Sequence, residues 1–434
     1  MNRYANPAIR LEVERGMPVF VRELLLESMR RDSGAGDLLV SPVETQEVDG
    51  LLDLRCLMEL KLPESEHLTF PAIPEIDPIP PGTSMIDLIR AKDLLLHHPF
   101  QSFDATVVRF LREAADDPAV TVIKITLYRV GSPSGIVDAL LEAAKAGKRV
   151  VAFVELKARF DEDQNVTWAK ALEAAGANVV YGMVGLKNHA KVSLIVRRED
   201  GKLRSYAHVG TGNYNSRSGR QYTDLSLFSA RPELASDISD LFNGLTGSSL
   251  PPTGLTRGAL TAPHQLLPTF VKYIEREAAN AARGLPAGIR AKLNGLSDPE
   301  IADALYEASS AGVGIDLVVR GICTLRPGVP GVSERIRVKS VLGRFLEHSR
   351  IYRFENAGVP EYFIGSSDMR PRNLRRRVEL LVPVLDLESR AKLDEILDRY
   401  FADESAWDLM ATGSYDQRSP GSSRAQDFFS SSDT

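Results

Sequence analysis

The sequence predicts an α/β protein of two duplicated halves with mixed, mostly parallel sheets, preceded by a smaller N-terminal piece. Three observations carry this. From Ile86 onward, β-branched runs alternate with helix-like stretches of about a dozen residues. The stretch Ile136-Val137-Asp138-Ala139-Leu140 recurs 165 residues later as Ile301-Ala302-Asp303-Ala304-Leu305. Each copy then carries a His, a cation two residues on, and a Gly-Thr/Ser turn that ends in Asn or Asp. The shared order of these features implies duplication.

The elements follow in order. Pro18 to Arg31 reads as one amphipathic helix, with Phe20, Leu24, Leu25 and Met29 at helical spacing. Five prolines between Pro71 and Pro81 make a connector without regular structure. Residues 1–85 show no core of their own and are expected to pack on something else. In the first half, residues 86–253, Val120 to Val130 is a strand and Gly135 to Ala146 a helix closed by Gly147. Lys148 to Leu156 is the next strand. Asn165 to Ala175 is a helix closed by Gly176, and Asn178 to Tyr181 is a further strand. In the second half, residues 254–412, Gly312 and the strand Ile315 to Val319 repeat Gly147 and its strand, so Arg320 falls in register with Glu155. The tail 413–434 is rich in Ser, Asp, Gln and Gly and is expected to be disordered.

Composition narrows the function. Hydrophobic content of 43% and charged content of 26% describe an ordinary globular protein. No apolar run reaches the length of about 18 residues that spans a membrane. The N-terminus has no apolar stretch resembling a signal peptide. Cys56 and Cys323 form neither a disulfide framework nor a metal-ligand spacing, so a reducing cytoplasm is expected. A net charge of −5 argues against a general nucleic-acid coat. Locally the balance reverses: from Arg335 to Arg377, eleven Arg and Lys stand against four Asp and Glu. That reads as a surface for a polyanion, and the excess of Arg over Lys favours bidentate phosphate contacts. Aromatic residues are not interleaved with the arginines as base-stacking platforms would be.

The chemistry centres on Gly185-Leu186-Lys187-Asn188-His189-Ala190-Lys191. Strand alternation puts His189 and Lys191 on one face. His189 can attack phosphorus or shuttle a proton while Lys191 holds a phosphate. His348-Ser349-Arg350 is the second copy, and two such motifs suggest one site between the halves. Arg129 and Arg159 lie at strand ends, where α/β sites form. Gly210-Thr211-Gly212-Asn213 either cradles an anion or is a structural turn. Tyr222 either stacks on an adenine or joins the core. There is no P-loop and no metal cage, so any Mg²⁺ would arrive with the phosphates.

These residues bring a resemblance with them. Leu94 to Pro99 (LLLHHP), Leu127 to Val130 (LYRV), Val154 to Glu162 (VELKARFDE), Gly185 to Lys191, Gly210 to Asn215 (GTGNYN) and Tyr222 to Leu227 (YTDLSL) are similar to motifs of the first family of polyphosphate kinases. So are Val319 to Cys323 (VRGIC), Leu325 to Gly331 (LRPGVPG), Gly343 to Ile351 (GRFLEHSRI), PRNL at Pro371 and RRVE at Arg376. They run in family order over nearly the whole chain. The resemblance implies two phospholipase D-like halves. Residues 1–85 would then be a remnant of a helical/α+β head domain, with a helical N-terminal domain and most of that head ahead of residue 1. It implies reversible transfer of the ATP γ-phosphate to polyphosphate, with His189 phosphorylated and His348 as acid/base and ATP contact. Tyr222 and Arg320 would also contact ATP. Arg129 and Arg159 would mark the Mg²⁺ site by binding the phosphate oxygens that carry the ion. Lys191, Asn213, Arg350, Arg372 and Arg377 would add phosphate contacts. No organic cofactor and no nucleic acid are expected. Peripheral membrane association is implied, as is a homo-oligomer where the N-terminal region is present. One ATP contact of the family comes from that region. Two other readings remain: a phospholipase D-like phosphodiesterase or nuclease, although Arg350 replaces the Lys usual there, and an inactive chain that binds polyphosphate.

Overall fold

The structure, a computed structural model, describes residues 10–32, 45–60, 66–131, 133–155, 162–182, 185–247, 254–417 and 423–431. It divides into two units, Met1–Pro71 and Ala72–Thr434. In the smaller unit, strand Leu11–Glu14 pairs in parallel with Thr45–Val48, and helix Val19–Asp32 lies between them in sequence. Its core holds Leu11, Val13 and Leu26, with Leu25 and Met29 packed against it. The face predicted for this helix is therefore only half right, because Phe20 and Leu24 are exposed within the unit.

The larger unit contains both halves. In the first, the strands are β1 (Leu94–His98), β2 (Val120–Leu127), β3 (Arg149–Val154), β4 (Asn178–Tyr181), β5 (Lys191–Glu199), β6 (Lys202–Gly210) and β7 (Tyr222–Ser229). Helices α1 (Gly135–Lys145) and α2 (Glu162–Ala174) follow β2 and β3. In the second, the strands are β8 (Gly288–Leu293), β9 (Gly314–Val319), β10 (Ile336–Ser340), β11 (Ile351–Phe354), β12 (Glu361–Gly365) and β13 (Arg377–Val384). Helix α3 (Pro299–Ser310) precedes β9, and α4 (Leu387–Ala402) and α5 (Ala425–Ser430) follow β13.

The two sheets share one strand order: β7-β6-β5-β2-β3-β4 in the first and β13-β12-β11-β8-β9-β10 in the second. The local reasons repeat as well. Ser134 and Asp298 cap α1 and α3 by accepting from Val137 N and Ile301 N. Both helices end in a left-handed glycine, Gly147 (φ 80°) and Gly312 (φ 104°). The next residue then bonds back into the helix, Lys148 N to Ala143 O and Val313 N to Ala308 O.

The sheets are mixed, but antiparallel pairs outnumber parallel ones among the described residues. This corrects the mostly parallel expectation. Strands β2, β3 and β4 are joined through helices and run parallel. The strand after each motif His instead opens a hairpin, and a hairpin must be antiparallel. Asp200-Gly201, both at positive φ, makes the two-residue turn between β5 and β6.

Two short segments stitch the halves together. Lys187–Asn188, just before β5, pairs in parallel with β13 of the other half. Leu346–Glu347, just before β11, pairs in parallel with β7. Beneath them lies one shared core, with Val192, Leu194, Val209, Leu225 and Leu227 from the first sheet against Ile351, Ile364, Val378, Leu380 and Val382 from the second. Each such buried aliphatic contributes about 1.5–3 kcal/mol. The tail departs from its composition: α5 is ordered, with Ala425 and Phe429 in that same core. Phe429 packs on Phe100, His97 and Tyr400.

Candidate active site

The exchanged segments put each motif histidine against a carboxylate of the opposite half. His189 N donates to Val378 O at 2.8 Å, and its Nδ1 lies 2.9 Å from Glu379 Oε2. His348 N donates to Thr223 O at 3.2 Å, and its Nδ1 lies 2.8 Å from Asp224 Oδ1. The main chain fixes the ring's origin and the carboxylate fixes its orientation. A carboxylate accepts from Nδ1–H, so the lone pair of each neutral ring sits on Nε2. The side chain of His189 keeps 12% of its exposure while Glu379 has none.

The supporting carboxylates differ in charge. Burial pushes Glu379 up to about 7, against the pull of Lys191 and Arg377. It accepts from Asn373 Nδ2 at 2.6 Å and from Ser366 Oγ. Burial also acts on Asp224, but His348, Thr211 and Arg350 outweigh it and hold Asp224 below its ordinary value. Thr211 Oγ1 donates to Asp224 Oδ1 at 2.6 Å and accepts from Leu225 N. Burial lowers His189 well below an ordinary imidazole, and Lys191 and Arg377 add to that. Burial lowers His348 too, although Asp224 opposes it. His189 is thus a neutral ring beside a carboxyl that ionises through about pH 7, and His348 the ring beside one that is ionised well below it. Opposed shifts of this kind can set two histidines to different acid–base tasks.

The glycines of the paired turns allow this closeness. A Cβ at Gly212 would overlap the Asp224 carboxylate, and one at Gly365 would overlap Leu380 O. Gly210-Thr211-Gly212 therefore has a structural role in supporting Asp224.

Most predicted site residues converge here. Tyr128 presents its edge to His189 at 5.5 Å between ring centroids, with the Arg129 guanidinium and the Lys187 and Lys191 ammonium groups around the same ring. Tyr222 lies 5.4 Å from the His348 ring. Arg320, at the end of β9, donates to Asn294 Oδ1 at 2.9 Å, and Asn294 Nδ2 donates to His348 O at 2.9 Å. Arg372 is exposed and Arg377 half-buried. Burial, Arg377 and Arg370 together lower Arg372, the mark of crowded positive charge. Asn213 is half-buried beside this turn, its Oδ1 without a hydrogen-bond partner. Arg159 lies outside the described residues.

Three expectations change. Arg350, 3% exposed, has its guanidinium engaged by Asp368 at 3.2 and 3.3 Å, by Thr211 O and by His348 O. Burial opposes ionisation of Asp368, yet Arg350 holds it at about 2. Arg350 is thus a buried strut beneath His348 and not a free phosphate clamp. Lys191 is buried with Nζ donating to His189 O. The basic stretch is not one surface either: Arg337 pairs with Asp316, Arg353 with Glu355 and Asp394, and Arg375 with Asp298 and Glu300. Asp224 and Glu379 were not singled out from sequence. A signal existed: both stand third in the strand that follows a short helix, at matching places in the repeat.

The profile described as polyphosphate kinase C-terminal domain 1 matches residues 84–251, and that described as polyphosphate kinase C-terminal domain 2 matches residues 259–428. A polyphosphate kinase of Thermosynechococcus vestitus is 46% identical over 452 aligned residues, covering 96% of this chain and 59% of its own length. One from Streptomyces coelicolor is 46% identical over 424, covering 96% of this chain and 55% of its own length. The crystal structure of polyphosphate kinase from Porphyromonas gingivalis superposes with a TM-score of 0.83 at 35% identity, covering 97% of this chain and 64% of that one. The chain thus spans less than two thirds of each of these relatives. Two matched domains cover more than three quarters of the sequence and hold both histidines with the carboxylates that orient them, so the chain belongs to the polyphosphate kinase family.

Proposed function

We propose that the chain transfers the terminal phosphate of ATP reversibly to inorganic polyphosphate through a phosphohistidine at His189. The observation that carries this is the 2.9 Å contact of His189 Nδ1 with the fully buried Glu379. It commits the Nδ1 proton and leaves the Nε2 lone pair for attack on the γ-phosphorus. As the Nε2–P bond forms, the bond from phosphorus to the β–γ bridging oxygen breaks and ADP leaves. A terminal oxygen of polyphosphate then attacks the phosphohistidine, and the Nε2–P bond breaks. His348, oriented by Asp224, holds or releases a proton beside the transferring group.

Arg129, Arg372 and Arg377 are the cations we assign to phosphate oxygens, with Arg159 added from the resemblance. We assign Tyr222 and Arg320 to the nucleotide, supported by their places beside His348 and Asn294. Asp224, Asp368 and Glu379 are already engaged by protein donors, so Mg²⁺ would be carried by phosphate oxygens and water, with the arginines holding those oxygens. Bound there, it neutralises charge that develops on the leaving phosphate. No helix among the described residues is long and apolar enough to cross a membrane. Free Cys56 and Cys323 suit a reducing, cytoplasmic location. Membrane association and self-association rest on the family alone.

The test is incubation with γ-labelled ATP and Mg²⁺. We expect acid-labile label on the wild type and none on His189→Ala. Equal labelling of both proteins, or cleavage of phosphodiesters without labelling, would overturn the proposal in favour of polyphosphate binding or diester hydrolysis.

A further inference from the structure

A buried polar chain leads from the C-terminal helix to His348. Gln426, in the first turn of α5, is buried and fully engaged. Its Oε1 accepts from Phe345 N at 2.9 Å, and its Nε2 donates to Phe345 O at 2.9 Å and to Glu347 Oε1 at 2.5 Å. The other oxygen of Glu347 accepts from Thr223 Oγ1 at 2.7 Å and pairs with Lys292 Nζ at 2.8 Å. Lys292 Nζ also donates to Ser349 Oγ at 2.6 Å and lies over the Tyr400 ring. Lys292 and Glu347 are both almost completely buried.

The inner members of this chain adjoin His348 and Asp224 in sequence or by hydrogen bond. Glu347 and Ser349 flank His348. Thr223 lies between Tyr222 and Asp224, and its carbonyl accepts from His348 N. The Leu346–Glu347 stitch onto β7 is where the two halves set the distance from His348 to Asp224. Buried charges of this kind are tolerated only when every oxygen and proton has a partner. Gln426 supplies a hydrogen bond to Glu347 Oε1. Gly343 confirms how tightly that side chain is seated, since a Cβ there would come within 2.5 Å of Gln426 Oε1. Gly343 does not have a positive φ, so alanine suits its backbone and the conflict falls on Gln426.

We infer that Gln426 is a positioning residue for His348, and that docking of the C-terminal helix sets the alignment of the His348–Asp224 pair across the two halves. This rests on the reading in which His348 serves phosphoryl transfer. The side chain touches no substrate and acts through Glu347 and the strand it anchors.

The test uses the full chain with Gln426→Ala, Gly343→Ala and the double variant. Three quantities are read: thermal melting, the NMR titration of the His348 imidazole, and single-turnover labelling of His189 from γ-labelled ATP with Mg²⁺. We expect Gln426→Ala to fold cooperatively, to shift the His348 titration and to slow labelling about tenfold, the size of one lost coupling of about 1.4 kcal/mol. Gly343→Ala should do the same, and the double variant should be no worse than Gln426→Ala, because the truncated side chain makes room for the new methyl. In a His348→Ala background Gln426→Ala should cost nothing further. The inference is overturned if the His348 titration and the labelling rate stay at wild-type values. It is also overturned if Gln426→Ala slows the His348→Ala protein by the same factor as the wild type, the sign of a merely structural role. If Gln426→Ala does not fold, Gly343→Ala decides by the same readings. If the wild type is never labelled, the proposed function fails, while the His348 titration still decides the positioning role.

Discussion

Replacing Glu379 with Gln isolates the proton that prepares His189. In the wild type the carboxylate faces only donors: His189 Nδ1, Ser366 Oγ and Asn373 Nδ2, with the charges of Lys191, Arg377 and Arg350 nearby. A glutamine amide must turn its NH₂ toward one of these donors. The lost charge-assisted bond is worth about 1.5–3 kcal/mol, and a buried donor left unpaired adds about 1–3 kcal/mol. Labelling of His189 should therefore fall by about two to four orders of magnitude. The pH dependence is more telling. With Glu379 at about 7, its neutral form prevails below that pH. A neutral carboxyl can donate to Nδ1, which moves the ring proton to Nε2 and removes the nucleophilic lone pair. The wild-type rate should rise through about pH 7 and then level off. His189 and His348 both lie below the ordinary imidazole value, so neither produces that step. Single-turnover labelling from about pH 5.5 to about pH 8.5 reads the profile. Glu379→Gln should abolish the step. A mutant that keeps the step near pH 7, or labels as fast as wild type, would refute the reasoning. Stability carries the opposite sign. The raised folded-state value favours the neutral acid, so this contribution, on the order of 3 kcal/mol, is present below the unfolded carboxyl's range and lost as pH rises through about 7.

Other consequences can be checked alongside. Asp224→Asn should shift the His348 titration downward in NMR, because the group that favours its proton is gone, and should slow transfer by about 10²–10⁴-fold. Gly212→Ala should reproduce much of that loss, since the new methyl displaces the Asp224 carboxylate; the same two assays apply. Phe429→Ala should lower the melting temperature, with a cost of up to about 3–5 kcal/mol, whereas a disordered tail would leave it unchanged.

What was legible in the sequence was whatever rests on local rules. The repeat placed Gly147 against Gly312 and Glu155 against Arg320, because helix stops and strand starts are written within a few residues of each other. The His-X-cation triplets were visible for the same reason. The partners that orient them were not. Glu379 lies 190 residues from His189 and Asp224 lies 124 from His348, and each belongs to the other half's sheet. The arginine-rich stretch misled because it folds through β10, β11 and β13, whose alternating faces send Arg337 and Arg353 to carboxylates far away in sequence. In the tail, the count of Ser, Gly and Asp outweighed two adjacent phenylalanines, one of which the shared core takes up. Hairpins after each motif histidine turned a parallel expectation into a mixed sheet, although Asp200-Gly201 was the turn that announced one of them.

The most direct measurement is to locate the phosphate itself. After a single turnover with ATP and Mg²⁺, peptide mapping and ³¹P NMR under alkaline conditions should place one phosphoryl group on Nε2 of His189, with transfer to added polyphosphate clearing it. Phosphate found on His348, on Nδ1 of His189, or on neither histidine would contradict the assignment of His189 as the nucleophile.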